Sequence, residues 1–356
     1  MNVTVLDTLY QAIAVIDACE SLIWTDRYQK YGDFELYTGM GSQFLKYMKD
    51  GYYLVSNESE HAMIVETKEI ETDSETGNHM KVSGRSLESI LLRRIVWSQT
   101  TISGNLQNGI KRLITDAIIL PSIPARKIDN FVFKDSTDPA ITKLSVEAQF
   151  TGDNLYDAIV SLCEPNDLGF KVTLNEANQL VFELYKGADR SFAQMSNPFV
   201  IFSPKFDNIV GSNYLESTSN YKNVSLIGGE GEGSDRTFAV ADLASAIGLA
   251  RREMFTDARD LSTDNGDTKI SASEYQAQLI ERGNSDLAEN KKELSFDGEV
   301  EAYDPFYYGK DFFMGDIVQI SNEYGIEGAA RVTEFIHSYS NIGPKCYPTF
   351  TVIEEE

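Results

Sequence analysis

No stretch of this chain is apolar for anything near the 18 or so residues that a membrane-spanning helix requires, so no helical membrane span is expected. Cysteine is scarce. Cys19, Cys163 and Cys346 are odd in number, far apart and outside any Cys-x-x-Cys pair, which points to reduced thiols in a protein made in a cytoplasm. Histidine is as scarce, and His61, His79 and His337 form no cluster at metal-ligand spacing. Only His61 and His79, flanking neighbouring strands, are placed to face each other. Bases are few: 31 Lys and Arg stand against 55 Asp and Glu, a formal net charge of −24. Such a surface repels a phosphate backbone, which argues against gripping DNA but not against DNA sliding past. Solubility alone is the plainer account of the acidity. The N-terminal Met1–Asp7 has no basic patch followed by an apolar core, so no secretion signal is expected.

Chemistry-bearing motifs are equally thin. There is no Gly-x-Ser-x-Gly elbow, and no cysteine sits in a nucleophile context. The acidic loop Asp260–Asp267 contains Asn265-Gly266, but a calcium loop of the EF-hand type with Gly266 at its sixth position would need an acid where Leu261 stands. The run Gly228–Gly233 has the glycine spacing of a phosphate cradle. Glu230 and Glu232 interleave it, and negative charge beside a phosphate is unfavourable. Among 55 acids some pair always looks suited to glycoside hydrolysis, and nothing singles one out. No catalytic, cofactor-binding or metal-ligating set is assigned, no cofactor is expected, and the chain is not expected to be an enzyme.

What is present is material for cores: 42% hydrophobic residues, with 19 Phe and 18 Tyr. Large aromatics in this number suit strand-rich proteins. The expected class is α+β and β-rich, with two β-barrel domains, a mixed α/β domain and a helical insertion. Residues 1–97 read as a first barrel, with short strands such as Ala12–Ile16, Ser21–Thr25, Phe34–Tyr37, Ala62–Thr67 and Lys81–Gly84. The turn cluster Asp73–Asn78 separates two of them, and Ser86 is placed to cap a closing helix. Residues 98–197 read as mixed. One helix is capped at Ser103 and ends before Pro121, and another starts at Asp153 or Asn154. The runs 170–174 and 180–184 then make a hairpin. Residues 198–240 (strands including Lys205–Val210) and 293–356 together read as one second barrel. The helical insertion 241–292 interrupts it, with Leu243, Ile247, Ala250 and Met254 on one stripe and Tyr275, Leu279, Arg282 and Leu287 on another.

Three stretches carry a family resemblance. Leu22-Ile23-Trp24-Thr25-Asp26-Arg27-Tyr28 with Gly32-Asp33-Phe34-Glu35-Leu36, followed by Gly84-Arg85-Ser86-Leu87, resembles the opening of a known hub barrel. Gly315-Asp316-Ile317-Val318, Gly325-Ile326 and Ala330–Glu334 resemble that family's late hairpin, and Gly248–Glu253 the segment before its helical insertion. The family is the tail-tip or baseplate hub proteins of long-tailed phages, which include the structural N-terminal region of prophage tail endopeptidase-like proteins. The resemblance implies a homotrimer whose two barrels per subunit imitate a sixfold ring. It implies attachment to the hexameric distal tail ring protein, contact with tape-measure and receptor-binding proteins, and opening for DNA ejection without specific DNA binding. It places the chain at the virion tail tip, assembled in the bacterial host cytoplasm. Many relatives continue into a lytic or receptor-binding region, whereas this sequence stops at Glu356, which counts against a cell-wall-degrading role. The alternatives are a tail-associated cell-wall hydrolase and a virion carbohydrate-binding adhesin using Tyr307, Tyr308, Phe312 and Phe313. That aromatic cluster reads more simply as a barrel wall or subunit interface.

Overall fold

The structure is a computed structural model describing residues 2–16, 19–75, 77–209, 211–264, 269–300 and 305–353, apart from the side chains of Ser42 and Gln43. Met1, Thr76, Val210, Asn265-Gly266-Asp267 and Glu354–Glu356, which figure in the expectations above, lie outside the described residues.

In chain order the early strands are β1 (Val3–Leu6), β2 (Ala12–Ile16), β3 (Ser21–Arg27), β4 (Asp33–Gly39), β5 (Tyr53–Ser56), β6 (Met63–Asp73) and β7 (Gly77–Ser86). The middle holds β8 (Thr100–Asn105), β9 (Phe131–Lys134), β10 (Ser145–Phe150), β11 (Gly169–Leu174), β12 (Leu180–Tyr185), β13 (Ile201–Phe202) and β14 (Gly211–Ser217). Then come β15 (Val224–Gly228), β16 (Phe238–Asp242), β17 (Glu253–Asp257), β18 (Glu293–Glu299), β19 (Ile317–Ser321), β20 (Glu327–Ser340) and β21 (Gly343–Val352). The helices are α1 (Ser42–Tyr47), α2 (Leu106–Ile114), α3 (Pro139–Thr142), α4 (Leu155–Cys163) and α5 (Ala272–Glu289).

The chain forms two compact units. The first comprises residues 1–89, 169–214 and 294–356, and the second residues 90–168 and 215–293.

The first unit is built on a 13-stranded sheet in the order β14-β18-β21-β20-β3-β4-β7-β6-β5-β1-β2, with β19 pairing both β20 and β13. The β-rich α+β class therefore stands. The two separate barrels do not, because no ring of strands closes among the described residues. The two halves are instead stitched edge to edge, with β3 running antiparallel to β20 from Ser21 opposite Ser340 to Arg27 opposite Glu334. Alternation along β3 reports which side chains face a core; it carries no information about which strand takes its free backbone edge. Two hydrophobic cores remain distinct along the shared sheet. Trp24, Phe34, Leu36, Leu54 and Val82 fill one. Phe202, Phe296, Phe312, Val332 and Phe350 fill the other.

Gly84 shows how closely this sheet is drawn. It sits opposite Val65 at a bulge in the β6–β7 pairing, and a Cβ there would lie 1.8 Å from the Ile64 carbonyl oxygen. Backbone cannot yield as a side-chain tip can. Gly84→Ala is therefore expected to cost at least about 2 kcal/mol, read as a lower thermal unfolding midpoint.

In the second unit, α2 and α4 are amphipathic and capped. The Asn105 side chain accepts from the Asn108 amide at 3.0 Å, and Asn154 accepts from the Tyr156 amide at 2.9 Å. Ser103, expected as the first cap, lies inside β8 and donates to Glu147 instead. The strand continues two residues further than the polar pattern implied, and Asn105 takes the cap. The closing segment after Ser86 is a 3₁₀ turn, Leu87–Arg93.

The largest departure concerns 198–292. Strands β15, β16 and β17 do not join the strands after 293. They form their own sheet, β16-β15-β17, under α5. The expected helix over Leu243–Met254 is absent: Asp242 accepts from the Ser245 amide at 2.8 Å, Ser245 and Gly248 take positive φ, and β17 follows. Lys205–Asn208 is likewise not a strand. Ser203 caps a 3₁₀ turn at Pro204–Phe206, and Asp207 is left-handed. The helix α5 itself matches the expected stripe. Its Gly283 lies where a Cβ would be 2.6 Å from the Ile227 Cδ1, which lets helix and sheet approach closely.

Candidate assembly surface

The small sheet is covered on one side only. Ile227, Ala239 and Ala241 point toward α5 and are buried with Tyr275, Leu279 and Leu287. The alternate residues point the other way. The register sets Val240, Leu226 and Phe255 side by side across the three strands, with Phe238 one step along. These four side chains are 43–52% exposed, and Ile247 and Leu249 in the following turn are 84% and 101% exposed. Large apolar residues in a contiguous exposed row mark an interaction surface more often than isolated ones do.

Charge at this surface is balanced, in contrast to the chain as a whole. At one end Arg251 bridges Asp242 at 3.0 Å and Glu253 at 2.6 Å. At the other end Asp257 is held by Arg236 at 2.6 Å and by Arg259 at 2.6 Å. The hydrogen bond from Arg259 pulls the Asp257 carboxyl down to about 2. Arg236 also lies over the rings of Phe255 and Phe238, at 5.3 and 5.8 Å. It fits because residue 228 is glycine: a Cβ there would lie 2.6 Å from its guanidinium carbon. Its own donors reach the Gly228 and Gly229 carbonyls at 2.7 and 3.1 Å. The glycine run thus seats an arginine side chain, and Glu230 accepts from Thr263. No phosphate cradle is formed.

The first unit contains a buried polar cluster. Asp26 accepts from the Trp24 indole at 3.2 Å and from Ser59 at 2.8 Å. His61 Nδ1 is 3.0 Å from Glu88 Oε1, which also accepts from the Val172 amide at 2.8 Å. Burial alone would lower the His61 pKa, but the carboxylates of Glu88 and Asp26 outweigh it and hold it up at about 9. Burial opposes ionisation of Glu88, yet His61 outweighs that and its pKa is lowered. Burial pushes Asp26 up and His337 down. His61 and His79 do not meet. Met63 pairs with Ser86 whereas Glu71 pairs with His79, and the eight residue steps from Met63 to Glu71 span roughly 26 Å of strand. His79 stacks on Tyr37 instead, with ring centroids 4.9 Å apart.

Beside this cluster lies a cleft of about 670 Å³, lined in part by Glu58, Glu60, Tyr185, Tyr308 and Asp316. Its acids are engaged. Asp316 accepts from the Ala188 amide at 2.7 Å and from Arg190 at 2.6 Å. Glu60 pairs with Lys171 at 2.7 Å, and Glu58 accepts from the Tyr339 hydroxyl. A pair of working carboxylates is not laid out here. Of the four aromatics weighed for sugar binding, Tyr308 stacks on Phe335 at 4.0 Å and Phe312 is 1% exposed, both core positions. Tyr307 and Phe313 are 39% and 45% exposed. The three cysteines are free thiols. Among the described residues no group of three or more His, Cys, Asp or Glu is arranged to hold a metal ion.

A family model described as Siphovirus ReqiPepy6 Gp37-like protein matches residues 2–350. The chain belongs to this family. The Gp37-like chain also shares its fold with solved phage and prophage proteins. One is the tail protein from Neisseria meningitidis MC58, at 16% identity and a TM-score of 0.59, covering 98% of this chain and 95% of that one. Another is the 43 kDa tail protein of prophage MuSo2 from Shewanella oneidensis, at 12% identity and a TM-score of 0.60, covering 99% and 98%. A third is the prophage tail protein gp18 from Listeria monocytogenes EGD-e, at 12% identity and a TM-score of 0.55, covering 100% and 96%. No curated protein matches the Gp37-like chain.

The bare apolar face was not anticipated from the sequence. Its signal was present in Phe238-Ala239-Val240-Ala241, where both alternating sets are apolar, the mark of a strand covered on both faces.

Proposed function

We propose that this protein is a structural hub of a phage tail tip, that it works as a homotrimer, and that the bare face of the β16-β15-β17 sheet contributes to the contact between copies. The observation that carries the contact is the neutralised rim. A chain with a net charge of −24 repels its own copies, so self-association favours a patch flanked by acids, Asp242, Glu253 and Asp257, that already have arginines. Family membership and full-length likeness to tail proteins support the setting. In this reading each chain brings two cores along one sheet, so three chains offer six such lobes to the hexameric distal tail ring protein. Tape-measure and receptor-binding proteins are further partners. DNA passes an acidic lumen without being held, and the trimer opens for ejection. The protein acts in the virion after assembly in the host cytoplasm, and its role is architectural.

Light scattering at micromolar concentration is expected to return three times the chain mass. Mixing with the ring protein is expected to give a heavier complex. A monomer at all concentrations, with no association with the ring, would overturn the proposal.

A further inference from the structure

The second unit holds a small cleft on the α5 side of its small sheet, opposite the bare face. It has a volume of about 230 Å³ and is lined by β10, α4 and α5. That is below the roughly 300–1,000 Å³ of a typical small-molecule pocket, so it suits a slim chain more than a ring system. Gln278 lines it and is 1% exposed, yet neither its amide oxygen nor its amide nitrogen has a partner among the described residues. A buried carboxamide without partners is costly, and native structures rarely keep one without a use.

The surroundings say what would satisfy it. Asp153, Asp157, Glu281, Asp286 and Glu289 line the same cleft, and Arg282, the one lining cation among the described residues, is spoken for by Asp260 at 2.9 Å. Burial, and then the nearby Glu147, raises the Glu281 pKa, so its negative charge is under-compensated in the free protein. A cation is therefore wanted. A metal ion is disfavoured, since no ligand set is arranged for one among the described residues and a metal cannot accept from the amide nitrogen. A linear polyamine would satisfy the acids and the amide oxygen but brings no acceptor for that nitrogen. A peptide carrying a basic side chain brings both: its cation meets Glu281 and the Gln278 oxygen, and a main-chain carbonyl accepts from the Gln278 nitrogen.

We propose that the cleft between α4 and α5 receives a lysine or arginine side chain on an extended segment of a partner protein, read by Gln278 and Glu281. The test uses the full chain and a labelled, end-capped pentapeptide with a central arginine flanked by alanines, followed by fluorescence anisotropy. Saturable binding is expected. Replacing the arginine by norleucine should abolish it, and Gln278→Leu or Glu281→Gln should each weaken it by roughly tenfold or more. The unliganded Gln278→Leu protein should melt no lower than the parent, because an apolar side chain of similar size removes an unsatisfied buried amide. A purely structural glutamine would instead lose stability on that change. No peptide binding up to millimolar concentration, equal binding by Gln278→Leu, or spermidine binding as tightly as the peptide would each overturn the proposal.

Discussion

Replacing Val240 and Phe238 together by aspartate is expected to leave the protein folded but monomeric. Both side chains stand on the outer face of β16, while their neighbours Ala239 and Ala241 hold the strand to α5 and are untouched. Strand pairing and the α5 core therefore survive. At a desolvated contact, a carboxylate at position 240 faces the apolar patch of another copy without a partner, and one at 238 finds only Arg236, which Asp257 already holds. Truncating a hot-spot residue at the centre of a contact costs about 2 kcal/mol or more, and introducing poorly compensated charge adds to that. Association is expected to weaken by at least ~100-fold, read by light scattering or sedimentation, with the circular dichroism spectrum unchanged. Retained trimer in the double variant would remove this face from the contact.

Glu88→Leu is expected to destabilise the first unit by about 3–5 kcal/mol, because it removes the hydrogen-bonded counter-charge of the buried His61 and the acceptor of the buried Val172 amide. The pair also makes a pH signature. The folded pKa of His61, about 9, lies above its ordinary 6.5, so the folded state keeps a proton that the unfolded state has released. That contribution is complete below pH 6.5 and is lost as the pH rises through 9. Glu88 works the other way: its folded pKa is lowered, so its contribution is present above its ordinary 4.5 and is lost in acid. Stability from the pair is therefore greatest between pH 4.5 and 6.5 and falls toward pH 9 by about 3 kcal/mol. Urea unfolding monitored by Trp24 fluorescence, in a Trp97→Phe background, reads this directly, since Trp24 is buried in the first unit and Trp97 is exposed. His61→Gln should flatten the slope between pH 6.5 and 9; an equally steep slope would assign the effect to another group.

The strands were legible wherever polar and apolar residues alternate, as along Phe34–Tyr37 and the 170–184 hairpin, because burial on one face writes a period of two into the sequence. α5 was legible through its stripe. The segment Leu243–Met254 misled because its spacing fits a helix. The local Asx turn at Asp242 and the positive φ at Ser245 and Gly248 decide otherwise, and only the glycine announces itself in advance. Which strand pairs with which was not legible. The β3–β20 pairing depends on backbone edges some 300 residues apart, and side-chain patterns do not encode it. The buried cluster was half visible. His61 was noticed, but Asp26, Ser59 and Glu88 looked like any of 55 acids and the serines around them until the fold brought them together.

The seam between β3 and β20 also sets a schedule for synthesis. A ribosome delivers β3 some 300 residues before β20, so one side of β3 waits, hydrogen-bond groups unpaired, while everything between them is made. Completion of that sheet must wait until β20 has emerged, and contacts so distant along the chain close slowly. A nascent strand with an open edge invites pairing with the wrong neighbour. Yield in the cell should therefore rise when synthesis is slowed by cold or when chaperones are plentiful, even though the finished molecule is unaffected by either.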